Sequence, residues 1–243
     1  MTSMELTYAQ QYRDLYENHW WWRAREHYVL DIISGFELPH QADILDVGCG
    51  DGLFFEALSK FGKPFGVEPD EALLSNAKWR DNIYNVSFDE NFQTDRQFDL
   101  ILMLDVLEHL DMDSAALQKS VNLLKPNGKI LATVPALMSA WTAHDDVNHH
   151  RRRYKRSEFE AIFRSAGLTV TFCRYYFVWT YFPKFILGLK ERVLGVSTSE
   201  VQTHIPPKRV NALITSLSYF EHRFFHRLPI PFGTSLIAVG ERK

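Results

Sequence analysis

The chain has 243 residues, 46% hydrophobic and 23% charged, so it can bury one substantial core and lacks the composition of a disordered segment. No uninterrupted apolar run reaches the roughly 18 residues of a membrane-spanning helix. The stretch from Met1 to Gln11 has no apolar signal core, and Cys49 and Cys173 show no metal or redox spacing, which together predict a cytoplasmic protein. The formal charge of −3 is unevenly divided: residues 1–110 hold 8 Lys+Arg against 20 Asp+Glu (−12), and residues 111–243 hold 19 against 10 (+9). The basic second half therefore faces either plain solvent or something anionic, such as a phosphorylated substrate or a membrane surface.

In chain order, Tyr8–Ile33 is predicted helical and carries His19, Trp20, Trp21, Trp22, Arg23 and Arg25. Ala42–Gly48 is a short apolar run ending in glycines and reads as a buried strand. Gly52–Phe61 is expected to be helical and Pro64–Val67 a second strand, with Asp70 as N-cap of a helix to Lys78. Val86–Phe88 is the candidate third strand and Phe98–Leu104 a strongly apolar fourth. A helix over Ser114–Leu124 stops at the turn Pro126-Asn127-Gly128, and Gly128–Pro135 forms the fifth strand. Ser157 and Gly167 bracket a helix over Ser157–Ala166, and Leu168–Tyr175 and Ser235–Gly240 are the last strands. This alternation predicts an α/β doubly wound sheet.

About fifty residues lie between the last two strands, long for a structureless connection. Pro183 suits the first turn of a helix to about Leu194. A second helix is predicted over Val210–Arg227, with Val210, Leu213, Ile214, Leu217, Phe220, Phe224 and Phe225 on one face. Arg209, Arg223, His226 and Arg227 line much of the other. This basic amphipathic helix is read as a cap whose apolar face packs on the core, with membrane contact as the alternative.

The strongest local signal is Asp46-Val-Gly48-Cys49-Gly50-Asp-Gly52 between a predicted strand and a predicted helix. Glycines there allow a tight turn and close approach to a ligand. Asp46 falls at the carboxyl end of its strand, where open α/β sheets bind ligands, and Glu68 ends the next strand, where a carboxylate can accept from both ribose hydroxyls. A dinucleotide fingerprint would need glycine where Leu53 stands, and no Gly-Lys-Ser/Thr follows for a phosphate loop. An acid before the first glycine suits a cationic ligand, such as the amino group of a methionine moiety.

At these residues the sequence resembles the class I S-adenosylmethionine-dependent methyltransferases, in particular type-11 and type-23 methyltransferase domains and ubiquinone-type O-methyltransferases. The resemblance extends over roughly Ile44–Gly167. It rests on Ile44–Gly52, on Val67-Glu68-Pro69, on Phe98–Leu110 with its Glu108-His109 pair, and on Leu124–Ile130. It implies S-adenosyl-L-methionine as cofactor and a seven-stranded Rossmann-like sheet of order 3-2-1-4-5-7-6. It also implies one domain over 1–243, with an N-terminal helical lid (1–40), a cofactor-binding core (42–175), a helical insertion (176–230) and a last strand (232–243). By the same resemblance Asp46, Gly48, Cys49 and Gly50 line the methionine end, and Glu68 with Pro69 holds the ribose. Asp89 lies near the adenine amine, with Glu90 and Asn91 equally close, and Leu104 lies beside the cofactor. Arg25, or else Arg23, meets the cofactor carboxylate.

Methyl transfer from a sulfonium is an in-line displacement that gains from positioning, and a hydroxyl acceptor gains further from a base. His109 is a candidate base or a residue that packs over the cofactor, and His149 is a second catalytic candidate. The run Trp141–Tyr154 resembles the loops of type-11 and type-23 domains, and His144, Arg152 and Tyr154 are substrate candidates in it. Its cations suit a phosphate or carboxylate. Trp22 is a further substrate candidate, with a lid or packing role for Trp20–Trp22 as the alternative. The spacing of Glu108, His144, Asp145, Asp146 and His149 matches no zinc motif, so no metal is expected. No nucleic-acid module is present. The aromatic stretch Tyr175–Gly188 and the basic residues favour a small-molecule or lipid-like, amphiphilic acceptor, with peripheral membrane contact. The expected activity is O-directed methyl transfer, and the alternative is a catalytically silent cofactor-fold scaffold.

Overall fold

The computed structural model describes residues 13–74, 77–195, 204–225 and 228–243. Its strands form one seven-stranded sheet of order β3-β2-β1-β4-β5-β7-β6, the order the resemblance implied. The strands are β1 (Ala42–Val47), β2 (Gly62–Val67), β3 (Ile83–Tyr84), β4 (Phe98–Leu104), β5 (Leu124–Pro135), β6 (Thr169–Tyr176) and β7 (Ser235–Glu241). The chain divides into two compact units, the first comprising Met1–Leu102, Leu123–Gly128 and Ile205–Tyr219, the second comprising Met103–Asn122, Lys129–His204 and Phe220–Lys243.

In the first unit, helical residues 13–18 precede α1 (Trp20–Ser34). The predicted continuous helix is interrupted because His19 is extended, at φ −78° and ψ 132°, and its Nδ1 accepts the Trp21 N–H at 3.2 Å as an N-cap. Residues 8–12 of that prediction lie outside the described residues. β1 and β2 pair in parallel with Asp46 opposite Gly66 and Val47 opposite Val67, so both strands deliver their tips to one level. Ile44, Leu45, Phe65, Val67, Leu100 and Ile101 are buried, as strands covered on both faces require.

Three predicted elements are shorter or displaced here. Only Phe55–Leu58 (α2) of the expected Gly52–Phe61 helix is helical, because Gly52 has φ +77° and donates to the Cys49 carbonyl in a turn. The Asp70 helix covers Glu71–Leu74 (α3), residues 75–76 of the prediction lie outside the described residues and 77–78 are not helical, and the Asp70 carboxylate caps the Ala72 N–H at 2.9 Å. The third strand is Ile83–Tyr84, not Val86–Phe88, since the Val86 N–H folds back onto the Tyr84 carbonyl and ends the pairing with β2.

α4 (Asp113–Leu123) of the second unit leads into β5, whose first residues to Gly128 belong to the first unit and in which Asn127 takes φ +62° at the predicted turn. β7 runs antiparallel to both β5 and β6, which places Leu236, Ile237, Ala238 and Val239 in a fully buried row. α5 (Ala143–Val147) follows β5. α6 (Arg156–Ser165) starts one residue before the predicted cap Ser157, because the Glu158 carboxylate reaches back to the Lys155 N–H at 2.9 Å. α7 (Tyr181–Leu194) holds Pro183 in its first turn, and α8 (Lys208–Phe225), whose residues to Tyr219 belong to the first unit, ends where residues 226–227, predicted helical, leave the described set. Among the described residues no helix is long and apolar enough to cross a membrane.

Gly66 is the tightest point behind the glycine turn. A Cβ there would stand 2.3 Å from the Cys49 Sγ and 2.8 Å from the Phe55 ring. Gly66→Ala should therefore destabilise the chain by about 1–3 kcal/mol, the range for an overpacked core, read as a lowered urea midpoint at unchanged slope. A wild-type midpoint would show that the turn yields without cost.

Candidate active site

The first unit gathers most of the expected cofactor residues. After β1 the chain turns through Gly48, Gly50 and Gly52 at φ +72°, +56° and +77°, a conformation that side chains with a Cβ rarely adopt. The Gly48 N–H bonds the Val67 carbonyl at 2.8 Å, which ties the turn to the end of β2. Glu68, only 8% exposed, then spans the two strand tips: its Oε2 accepts the Gly50 N–H at 3.0 Å and its Oε1 the Asp70 N–H at 2.9 Å. Burial raises the Glu68 pKa, against the pull of those two amides. Asn85, the first residue after β3, donates to the Glu68 and Pro69 carbonyls at 2.9 and 3.2 Å.

Asp46 is 5% exposed at the tip of β1, and burial pushes its carboxyl up to about 7, with Arg25 opposing the shift and Glu68 adding to it. Arg25, not Arg23, is thus the cation that acts on this site; Arg23 is exposed and donates to the Glu17 carbonyl. The Arg25 guanidinium lies over the Trp21 and Trp22 rings, 5.0 and 4.6 Å from their centroids, and the two indoles meet edge-on at 4.9 Å. Trp22, read from sequence as a substrate candidate, is placed against Arg25. Tyr16 hydrogen-bonds Glu26, and Arg13 bonds the Asp51 carboxylate at 2.7 Å. Sequence reading missed these two pairs because nothing in their local spacing announces a partner 10 or 38 residues away.

Asp89, expected near the adenine amine, lies on the chain after β3. It is exposed, its carboxylate accepts the backbone and side-chain N–H groups of Asn91 at 2.8 Å, and it lies five residues beyond the true end of β3.

The second unit carries the acid–imidazole chemistry. Leu104 is half-buried at the end of β4, and Asp105 takes φ +58° while donating its N–H to the Thr133 carbonyl. The chain then makes a 3-10 turn at Leu107–His109 that buries Glu108 completely and leaves His109 exposed. His109 and His150 rings sit edge-on at 5.0 Å, and ligand-type atoms of Glu108, His109 and His150 all lie within 4.8 Å of one another. Burial, then the neighbouring His150, hold His109 below the ordinary imidazole value.

The His150 ring is the one in edge-on contact with His109, while the predicted candidate His149 also bears on His109, through a backbone hydrogen bond. His149 is exposed at φ +56°. Adjacent residues in an extended or turning backbone point different ways, so sequence could not choose between them.

Asp145, fully buried, organises this region. It accepts the His150 Nδ1–H at 2.8 Å, Arg153 through both oxygens at 2.8 and 3.0 Å, and the Thr142 N–H at 2.9 Å, which together hold its carboxyl well below the usual range. The predicted basic run is therefore structurally engaged. Arg151 donates to the His109 carbonyl at 2.8 Å, and Arg152 to Asp113 at 3.1 Å and to the Leu110 and Asp111 carbonyls. The Tyr154 hydroxyl, buried, donates to Asp113 at 2.7 Å. Arg152 and Tyr154 thus clamp the loop that bears Glu108 and His109. His144 is half-buried, its imidazole lowered to about 4 by burial and by Lys184.

A glycine turn bridged by one buried carboxylate, with a second buried acid and an arginine beside it at the tips of parallel strands, is a set of groups that could hold an adenosyl amino acid, with Glu68 toward the ribose, Asp46 toward the ammonium and Arg25 toward the carboxylate, as the resemblance implies. Fold and site together define the class I S-adenosylmethionine-dependent methyltransferases, with S-adenosyl-L-methionine as cofactor.

A family profile described as a methyltransferase domain matches residues 21–171, well over half the sequence, and the chain belongs to that type-23 methyltransferase-domain family. A ubiquinone biosynthesis O-methyltransferase of Bradyrhizobium diazoefficiens is 32% identical over 105 residues, 40% of this chain and 41% of that protein, so the match covers under half of that relative's length. One from Hydrogenovibrio crunogenus is 25% identical over 181 residues, 62% of this chain and 75% of that protein. A SAM-dependent methyltransferase structure from Archaeoglobus fulgidus shares the fold, with a TM-score of 0.56 at 14% identity over 90% of this chain and 92% of that one.

Asp46 gives a pH signature. Its folded pKa of about 7 lies above the unfolded value, so between about pH 4 and 7 the folded chain holds a proton that the unfolded chain has lost. The stability tied to the protonated form is full below about pH 4 and is lost as pH rises through 7. Asp46→Asn should thus stabilise the cofactor-free protein by roughly 1–3 kcal/mol at pH 8 and by less at pH 5, while weakening cofactor binding. Equal effects at both pH values in urea titrations would remove Asp46 from this role.

Proposed function

We propose that the chain transfers the methyl group of S-adenosylmethionine to a hydroxyl oxygen of a small, lipid-like or amphiphilic acceptor. The observation that carries this reading is the Glu108–His109–His150 cluster. Burial and His150 lower the His109 pKa, which favours the neutral imidazole that can take the proton of a phenol-type hydroxyl. His150 is fixed by Asp145 and cannot turn away, and the loop bearing His109 is pinned by Arg151, Arg152 and Tyr154. The O-methyltransferase names of the relatives point the same way.

When bound, the cofactor supplies an electrophilic methyl on a sulfonium. The chain's own residues then have two tasks. In the first unit Asp46, Glu68 and Arg25 would hold and orient the cofactor's amino-acid and ribose groups, and in the second unit His109 would accept a hydroxyl proton.

Labelled S-adenosylmethionine offered with polyprenylated catechols, simple catechols and amines tests the acceptor class. Product is expected on the hydroxyl acceptors, and transfer to amines alone would sink the reading. With a working acceptor, His109→Ala should lower kcat about 100-fold or more while leaving cofactor affinity nearly unchanged. Equal losses in both would make His109 a packing residue. Turnover abolished by a chelator and restored by a divalent cation would assign the cluster to cation binding instead. Cofactor binding without product on any acceptor favours the second reading, a silent scaffold. Glu68→Ala should weaken S-adenosylmethionine binding by about 1–3 kcal/mol in calorimetry, as expected for loss of a charged hydrogen-bonding group.

A further inference from the structure

The segment between β6 and β7 contains two helices that are built inside out. In α8, sequence periodicity predicts that Val210, Leu213, Leu217, Phe220 and Phe224 pack on the core. The structure turns them outward, at 46, 70, 42, 49 and 60% exposed. The side that faces the protein is polar. Asn211 accepts the Trp20 N–H at 2.9 Å and donates to the Asn18 carbonyl at 2.7 Å. Ser218 is fully buried, and Glu221, 4% exposed, accepts the Trp179 N–H at 3.3 Å.

α7 repeats the pattern. Phe182, Ile186, Leu189 and Val193, at i, i+4, i+7 and i+11, are 57, 62, 49 and 73% exposed. On its other side Gly188 lies so close to the Trp141 carbonyl that a Cβ would stand 2.3 Å away, and Glu191 accepts the Ala143 N–H at 2.8 Å. Exposed apolar rows of this length are unusual on a soluble surface and mark contact sites.

Charge decides what covers them. Lys208, Arg209 and Arg223 are exposed on α8, and Lys190 and Arg192 on α7. The one acid of each helix, Glu221 and Glu191, is turned inward onto a backbone N–H. A second copy of the chain would bring cations against cations, whereas an anionic bilayer offers acyl chains to the stripe and phosphates to its flanks.

We propose that α8 docks the protein on an anionic lipid surface, with the Val210–Phe224 stripe among the acyl chains and Lys208, Arg209 and Arg223 at the headgroups. The helix lies in the interface plane and does not span it. This inference is read by binding, not by turnover, so it stands or falls separately from the acceptor chemistry.

The full chain should float with vesicles of phosphatidylglycerol and phosphatidylcholine, bind vesicles of phosphatidylcholine alone more weakly, and detach as salt is raised. The double substitution Leu213→Gln with Leu217→Gln should weaken vesicle binding at least about tenfold. Its circular dichroism and cofactor affinity should remain those of the wild type, since both side chains point away from the protein. Absence of binding to the phosphatidylglycerol vesicles at low salt would overturn the proposal, as would a folded double variant that binds them undiminished. A dimer in sedimentation velocity that the same substitutions dissociate, from a protein inert to vesicles, would assign the face to a second copy.

Discussion

The Glu68 carboxylate, held between the N–H groups of Gly50 and Asp70, is the contact through which the cofactor end of the molecule is assembled. It joins the turn after β1 to the chain leaving β2, so neither strand tip can move alone. Its requirements spread outward. Gly50 must take a left-handed backbone for its N–H to face the carboxylate, and Gly66 must lack a side chain for Cys49 to lie beneath the turn. Asn85 then secures the carbonyls of Glu68 and Pro69 from the end of β3. A buried carboxylate satisfied by two amides is an expensive arrangement unless something further uses it, and here Asp46 and Arg25 stand beside it with opposite charges.

The second unit solves a different problem with the same physics. Asp145 is a buried acid that would be untenable alone, and it is made tenable by Arg153, His150 and the Thr142 amide. That network fixes one face of His150, and through the ring contact it sets the surroundings of His109. The arginines after it reach back to the loop at Leu107–Asp113. The basic charge that looked from sequence like a ready anion site is therefore largely structural, and Arg152 and Tyr154 act as clamps on the loop whose chemistry is proposed.

Much of the fold was legible because strands and helices have different periods and because glycine punctuates them. β4 was read to the residue, and the strand order followed from the resemblance over Ile44–Gly167. The errors share a cause. Val86–Phe88 has strand-like residues, but pairing with β2 ends at Tyr84 because the backbone turns back on itself there. The helix after Gly52 shrinks to one turn because the glycine conformation that serves the site also delays the helix. In both places the demands of the ligand edge overrode local propensity.

The sequence by itself determined the cofactor class, since an acid, three glycines and a second acid at strand-tip spacing have few other uses. It also determined that α8 would carry one apolar face. Only the tertiary structure decided that Arg25 rather than Arg23 acts on Asp46, that the His150 ring packs edge-on against His109, and that the apolar face of α8 turns outward. The reason is common to all three. Periodicity and motif belong to one stretch of chain, but which neighbour a side chain meets depends on donors and acceptors far away in sequence. Asn18, Trp20 and Trp179 supply them to α8, and no pattern within residues 208–225 could announce them.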